Sequence, residues 1–425
     1  MTKTVIYSES IRLPQRRALV VGMGVTGLAT AGRLAAAGWE PVLIERSADR
    51  RRGGYFICLF EAGRYAAERL GILPFLHDRN PQGRTFLTDR KLRSQRALGL
   101  KDLPGSPWML LRSDVEDAAF EALPDDVEIR YSTVPVSVDA DGDGVDVTLR
   151  NLANGTEQSE RFDLVVGADG VRSSVRRLAF GPDEDFLQSF GYMIYAFQYE
   201  GQPRGMRTGQ SLTLVEPDRA LWGFGFADHD PTMMLSYRTD DPVGERAKMP
   251  AERLREVFSD SPLGETLSDV LEAAEHAPSP LWDTVEQVHM PSWHRGRVVL
   301  VGDAAWCVTL FAGMGVSAGL IGADVLGSAL ERHPEDVDQA LSHWEESMRP
   351  TIENYQQIGV TQQDLFVPRN RRQIALRHVI AWLSRRRYGH LVLDRLLHSE
   401  ADSRTTDVVL PPAPSSNNGE HMLVA

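Results

Sequence analysis

From Arg17 the chain runs through Ala18, Leu19, Val20 and Val21 without polar interruption, turns through closely spaced glycines, and enters an alanine-rich stretch at residues 28–37. The apolar positions of that stretch have helical spacing, and Gly38 marks its end. A second apolar run follows at residues 41–45. Strand, helix and strand in that order predict a βαβ unit on a parallel sheet. Farther on, the pattern predicts a helix over 112–123 and strands over 127–130, 145–149 and 163–166. The residues Asp141, Gly142, Asp143 and Gly144 form the hairpin turn between two of these strands.

The texture then changes. Residues 189–200, 210–216, 219–227 and 232–238 alternate in side-chain character between Gly, Pro and Asp clusters, which predicts an antiparallel meander. A helical passage over 250–275 leads back to βα texture at 297–302, so the meander interrupts the first domain. The expected class is α/β: a discontinuous Rossmann-like domain (15–75, 104–184 and 286–345) with an inserted antiparallel-sheet domain (76–103 and 185–285). A helical region (346–399) and a Pro/Ser/Asn-rich, disordered tail (400–425) complete the chain.

With 425 residues and 42% hydrophobic content, two domains sharing a large interface are affordable. The net charge of -13 argues against general nucleic-acid binding, which needs a surplus of Lys and Arg on one face. The first fourteen residues lack the apolar run of a signal peptide and no membrane span stands out, so the expected location is the cytoplasm. Two cysteines, Cys58 and Cys307, exclude a disulfide scaffold and a thiolate-rich metal site, and no metal is expected.

Gly22, Gly24 and Gly27 fit G-x-G-x-x-G directly after a strand and before a helix. The first glycine permits the turn, the second lets a pyrophosphate approach, and the third lets helix and strand pack closely. The helix start offers free N–H groups to phosphate. Glu45, at the end of the second strand, suits the ribose hydroxyls of an adenosine, and Arg46 follows it. This unit alone leaves FAD and NAD both open.

Two later motifs carry further information. One is L-V-V-G-A-D-G-V-R-S-S-V, residues 164–175, containing Asp169 and Arg172. The other is G-R-V-V-L-V-G-D-A-A, residues 296–305, containing Asp303 and continued by Gly313, Met314, Gly315 and Val316. Together with the first fingerprint they resemble, in order and spacing from residue 18 to about 326, the class A, single-component FAD-dependent monooxygenases of the para-hydroxybenzoate hydroxylase group. The segments containing Arg52 and Tyr55, and Arg112 after Leu111, are similar to that family's FAD-contacting segments.

The resemblance implies one FAD and a transient NAD(P)H co-substrate. It also implies O2 addition at flavin C4a and transfer of the distal oxygen of that hydroperoxide to an electron-rich small molecule. An aromatic or polyketide-like secondary metabolite is the implied substrate, as for natural-product tailoring oxygenases. In physical terms Asp303 suits the ribityl hydroxyls, Arg112 the pyrophosphate or ribityl side, and the helix opening after Gly313 the electron-rich flavin edge. Asp169 is either a cofactor ligand or the cap of a helix starting near Val171, and Arg172 either a cofactor contact or a salt bridge.

No catalytic side chain can be named from the sequence, and the oligomeric state is open. Tyr55, Tyr192, Trp222, Phe224 and Phe311 are candidate substrate contacts, with Trp222, Phe224 and Phe226 expected on one strand face. The family's prolines before Gly-x-Gly are missing from residues 306–311, Trp306 to Phe311 in sequence. That loss admits an alternative, an FAD-dependent non-redox cyclase of the [4+2] type. Gly315, Ser317 and Gly319 formally match a hydrolase nucleophile elbow, but in the wrong context. The basic stretch 369–387 reads as the solvated face of a packed helix rather than a docking surface.

Overall fold

The computed structural model describes residues 16–50, 53–80, 83–97, 99 and 107–383. Its centre is a six-stranded sheet in the order His294–Arg295, Val298–Leu300, Leu164–Gly167, Arg17–Val21, Glu40–Ile44, Glu128–Arg130. All neighbours are parallel except the first pair. Val20 lies between Leu43 and Val166, and Val166 in turn faces Val299. Because both faces are covered, the inner strands Val298–Leu300, Leu164–Gly167 and Arg17–Val21 are almost wholly apolar and lack alternation.

The helices Val25–Ala36, Glu61–Arg69 and Gly315–Arg332 meet around a buried ion cluster. Asp324 accepts from Arg69 Nε at 2.6 Å, and Arg33 Nε lies 3.6 Å from its other oxygen. Arg33 continues to Glu331 at 2.6 Å. The first two helices thus contribute one cation each and the third two carboxylates, and the buried charges are compensated only when all three are docked.

The second large sheet has seven strands, in the order Leu281–Val288, Leu187–Gln198, Thr232–Arg238, Arg219–Phe224, Ser211–Glu216, Thr85–Thr88, Gln95–Ala97. Its pairs are antiparallel apart from Ser211–Glu216 with Thr85–Thr88. Residues one apart face opposite ways. Met193, Tyr195, Leu235 and Tyr237 pack on the helices Pro250–Phe258 and Glu265–His276, and the Tyr195 hydroxyl donates to the Ala274 carbonyl at 2.6 Å. Tyr192, Ile194, Phe224 and Met234 turn toward Phe311 and the end of the long helix Val337–Phe366.

The structure corrects several expectations. The turn at 141–144 joins Thr133–Ala140 to Val145–Asn151, whereas Glu128–Arg130 belongs to the six-stranded sheet. Thr133–Ala140 was hidden by Pro135, which sits where the register shifts. A third strand, Glu157–Phe162, carries almost no apolar residues and so had no hydrophobic signal. The passage over 250–275 divides at Pro262 and Gly264 into the two helices named above. Phe226 does not share the face of Trp222 and Phe224: the strand stops before Gly225, whose β-position lies 2.2 Å from the Gln210 carbonyl, and Phe226 packs with Met109 and Leu111.

The final described helix is Arg371–Leu383; the remainder of the expected helical region and the tail at 400–425 lie outside the described residues. Among the described residues no helix is long and apolar enough to cross a membrane. The ion cluster yields a stability prediction. Asp324→Ala strands the buried Arg69 guanidinium and leaves Arg33 only Glu331, and should lower unfolding free energy by about 3–5 kcal/mol in urea titrations; a change below about 1 kcal/mol would mean the cluster does not tie the helices together.

Candidate active site

The glycine turn is closed to side chains. Gly22 holds φ +102°, and a β-carbon there would sit 2.7 Å from the Ala168 carbonyl oxygen and 2.8 Å from Asp169 Cα. A β-carbon on Gly27 would lie 1.9 Å from the Gly22 carbonyl oxygen. Gly24 caps the helix Val25–Ala36 with no side-chain hydrogen bond, so its first-turn N–H groups remain for a ligand. The nearest atoms to a β-carbon at Gly24 are Arg112 Nη2 at 3.4 Å and Glu116 Oε1 at 3.7 Å. Glu45 accepts from the Met23 N–H at 3.0 Å and the Ser47 N–H at 2.9 Å, which fixes its carboxylate beside the turn. Arg46 is exposed just beyond it, and Arg52 lies outside the described residues.

The third fingerprint reaches the same place through Thr26. A β-carbon at Gly302 would meet Thr26 Oγ1 at 2.7 Å, and one at Gly319 would meet it at 2.2 Å. Asp303 follows Gly302, and its Oδ1 lies 3.8 Å from the β-position of Gly315. Gly313 adopts the left-handed conformation before Met314, which is buried, and the helix Gly315–Arg332 begins with no side-chain cap. Val316, in its first turn, is half-buried.

Asp303, Arg112 and Tyr55 act on one another electrostatically. Burial raises the Asp303 carboxyl pKa, with Arg112 opposing that shift. Burial likewise raises the Tyr55 phenol. Burial works against the Arg112 charge, but Tyr55, Glu116 and Asp303 outweigh it and hold its pKa above the ordinary value. Yet Asp303 is exposed to solvent, and Tyr55 and Arg112 are only half-buried. Both facts hold for groups on the wall of an interior hollow, surrounded by protein but reached by water. Arg112 is held there by an ion pair with Glu116 at 2.7 Å and by its amide, which donates to the Tyr55 carbonyl at 3.0 Å.

The carboxylate of Asp169 is already engaged. It accepts from the Ser174 and Val175 amides at 2.6 and 3.2 Å and from the hydroxyls of Ser173 and Ser174, at the start of the helix Ser174–Ala179. Its backbone, against Gly22, borders the dinucleotide turn. Arg172 forms ion pairs with Glu286 and, at 3.3 Å, Asp283.

Of the five candidate substrate contacts, Tyr55 and Trp222 keep open surface. Tyr192, Phe224 and Phe311 are buried. Tyr192 meets Phe311 edge-on with centroids 5.3 Å apart, Phe311 stacks on Phe366 at 5.2 Å, and Phe224 stacks on Phe56 at 4.0 Å. Phe56, Phe366 and Glu116 were not anticipated as site residues. The i,i+4 spacing of Arg112 and Glu116 was a usable signal for the last; the two phenylalanines had none.

Where the prolines are missing, Thr309 takes φ 72° and ψ 152°, a region rare for a residue with a side chain. It is buried, and its Oγ1 has no hydrogen-bond partner. The long helix presses on this segment through Gly359, whose β-position is 2.4 Å from Thr309 Cγ2. The Cys307 thiol donates to the Glu286 carbonyl at 3.5 Å, and burial, then Asp303, push its pKa well up. Cys58 is a packed core thiol. Ser317 is fully buried, accepts from the Phe60 amide at 3.3 Å and abuts Gly63, so the elbow-like pattern is a packing contact.

Comparison with known proteins gives this arrangement a family. A model described as FAD binding domain matches residues 15–354. The chain belongs to the class A FAD-dependent monooxygenases. A flavin-dependent monooxygenase from an unknown prokaryotic organism is 27% identical over 367 residues, 82% of this chain and 89% of its own length. A probable 2-heptyl-3-hydroxy-4(1H)-quinolone synthase of Rhodococcus erythropolis is 28% identical, covering 84% of this chain and 90% of that one. The crystal structure of the tetracycline destructase Tet(55) superimposes with a TM-score of 0.75 over 94% of this chain and all of that one, at 23% identity. FAD is therefore the cofactor of this monooxygenase.

Asp303 carries the cofactor test. Asp303→Ala should weaken FAD retention about tenfold or more, as expected for losing charged hydrogen bonds; gel filtration with an unchanged FAD:protein ratio would contradict this. Its raised pKa sets the sign of a pH effect. With the site empty, the carboxyl keeps its proton to higher pH than an ordinary aspartate, while hydroxyl donors from FAD would favour the ionised form. FAD affinity of the apoprotein should rise with pH through the upper carboxylate range, and Asp303→Asn should flatten that rise in fluorescence titrations.

Proposed function

We propose that this monooxygenase uses NAD(P)H and O2 to insert one oxygen atom into an aromatic or polyketide-like secondary metabolite. The observation that carries the reading is the convergence of two uncapped helix starts with Asp303, Arg112 and Tyr55 on one interior hollow. On this reading the six-stranded sheet and its helices bind FAD, and the seven-stranded sheet covers the substrate.

FAD, when bound, supplies the activation of O2 with electrons taken from the nicotinamide donor. The amides after Gly24 would hold its pyrophosphate, with Arg112 as counter-charge. Glu45 would take the adenosine ribose and Asp303 the ribityl hydroxyls. Amides at Gly315 and Val316 would stabilise negative charge at the flavin edge. The aromatic face of the seven-stranded sheet, backed by Phe311 and Phe366, would exclude water from the reacting atoms while Tyr55 and Trp222 touch the substrate.

A planar ring substrate is supported by the flat aromatic pairs around Phe224 and Phe311, and by the quinolone and tetracycline named for two of the similar proteins. Transient donor binding is supported by the single dinucleotide fingerprint. A cleft of about 700 Å³, bordered by Arg50, Gly53, Arg79, Ser113, Gln198 and His229, offers it room beside Arg112. A cytoplasmic location agrees with Cys58 and Cys307 both being thiols rather than joined in a disulfide. The [4+2] cyclase alternative rests only on the missing prolines.

Purified protein should be yellow and should consume NAD(P)H and O2 in equal amounts when offered the right polyketide or quinolone. Conversion of such a substrate without oxygen or nicotinamide would instead establish the cyclase.

A further inference from the structure

The basic stretch expected to be a solvated face is not uniform. Arg369 pairs with Asp364 at 2.9 Å, and Arg371 and Arg372 are exposed. Residues 384–387 lie outside the described part of the chain. Arg377 turns inward. Its guanidinium carbon stands 5.2 Å from the centre of the Trp222 ring, and Nη1 donates to the Leu365 carbonyl at 2.5 Å. One turn earlier, Ile374 packs into the same apolar cluster as Tyr192, Phe224 and Phe311. The helix Arg371–Leu383 therefore lies across the strands Gln95–Ala97 and Ser211–Glu216 with Arg377 on its inner side.

Among the described residues Arg377 forms no ion pair; one carbonyl and one indole face are its partners. A guanidinium offers five N–H donors in a planar fork suited to a carboxylate. Burial alone lowers its pKa to about 10, the mark of a cation removed from bulk water without a counter-charge. It nevertheless remains half-exposed, the combination seen at Arg112, Tyr55 and Asp303. The ring beneath it, Trp222, keeps open surface and stands beside Phe224, which stacks on Phe56, the neighbour of Tyr55. Arg377 thus stands at the far end of the aromatic series Trp222, Phe224 and Phe56 that leads to Tyr55.

We infer that Arg377 is a substrate-recognition residue that binds a carboxylate carried by a planar ring substrate lying against Trp222. The inference rests on the proposed substrate chamber and goes beyond it by naming the charge the chamber selects. A neutral ring leaves this inward-turned cation without a counter-charge, and an anionic one supplies it. The arginine would then set affinity and orientation, while the reacting atoms remain at the flavin end.

The test titrates the FAD-loaded protein with 1-hydroxy-2-naphthoate and with its neutral isostere 1-hydroxy-2-naphthamide, following flavin absorbance and fluorescence. The wild type should bind the acid about 10–100-fold more tightly than the amide, the range for a charge-assisted hydrogen-bonded pair. Arg377→Met should abolish that preference while leaving flavin content and amide affinity near wild type, and Arg377→Lys should retain part of it. Equal affinities in the wild type, or a preference surviving in Arg377→Met, would overturn the role of Arg377 and leave the chamber standing. No flavin perturbation by either compound would overturn the chamber, and this inference with it.

Discussion

The site depends on how closely backbone can approach backbone around Thr26. Its side chain fills the space that side chains on Gly302 and Gly319 would occupy, and at the next residue a β-carbon on Gly27 would lie 1.9 Å from the Gly22 carbonyl oxygen. Three stretches distant in sequence are brought together because each has a hydrogen atom where any other residue has a β-carbon. Two helices then start side by side with no side-chain caps, and unpartnered N–H groups collect at one place. The buried Asp324 cluster holds the bodies of the same helices in register farther along. Close packing and a buried ion network together hold these unpartnered N–H groups in one place.

This division of labour explains where charge is found. Carboxylates beside the hollow are mostly engaged in holding backbone: Glu45 fixes the glycine turn and Asp169 caps a helix. Asp303 differs, for burial raises its pKa and Arg112, with the Cys307 thiol, offsets that only in part. Arg112 and Arg377 flank the aromatic series from Tyr55 to Trp222, the first paired with Glu116 and the second, among the described residues, with no carboxylate. Polarity concentrated at the ends and aromatic surface between them suits a large planar cofactor meeting a planar substrate.

Much of this was legible in the sequence because its signals were local. Glycine spacing, an uninterrupted apolar run and an acidic residue at a strand end each encode one turn of chain, and the strands Arg17–Val21 and Glu40–Ile44 and the helix between them stand where the pattern put them. Contacts between distant segments were harder to see. Thr133–Ala140 was masked by Pro135, and Glu157–Phe162 is a polar strand stabilised by its neighbour rather than by burial. Phe226 has the right spacing for the sheet face, but the strand ends at a glycine before it. The inward turn of Arg377 depends on where Trp222 lies, and a run of arginines carries no mark of which one faces in.

The central claim is that these three stretches hold a single FAD. A crystal structure of the FAD-loaded protein tests it most directly. The account predicts pyrophosphate on the amides after Gly24, ribityl hydroxyls on Asp303 and the isoalloxazine edge against Gly315 and Val316. Density placing the flavin away from Asp303, with Gly24 and Gly315 contacting different molecules, would contradict it.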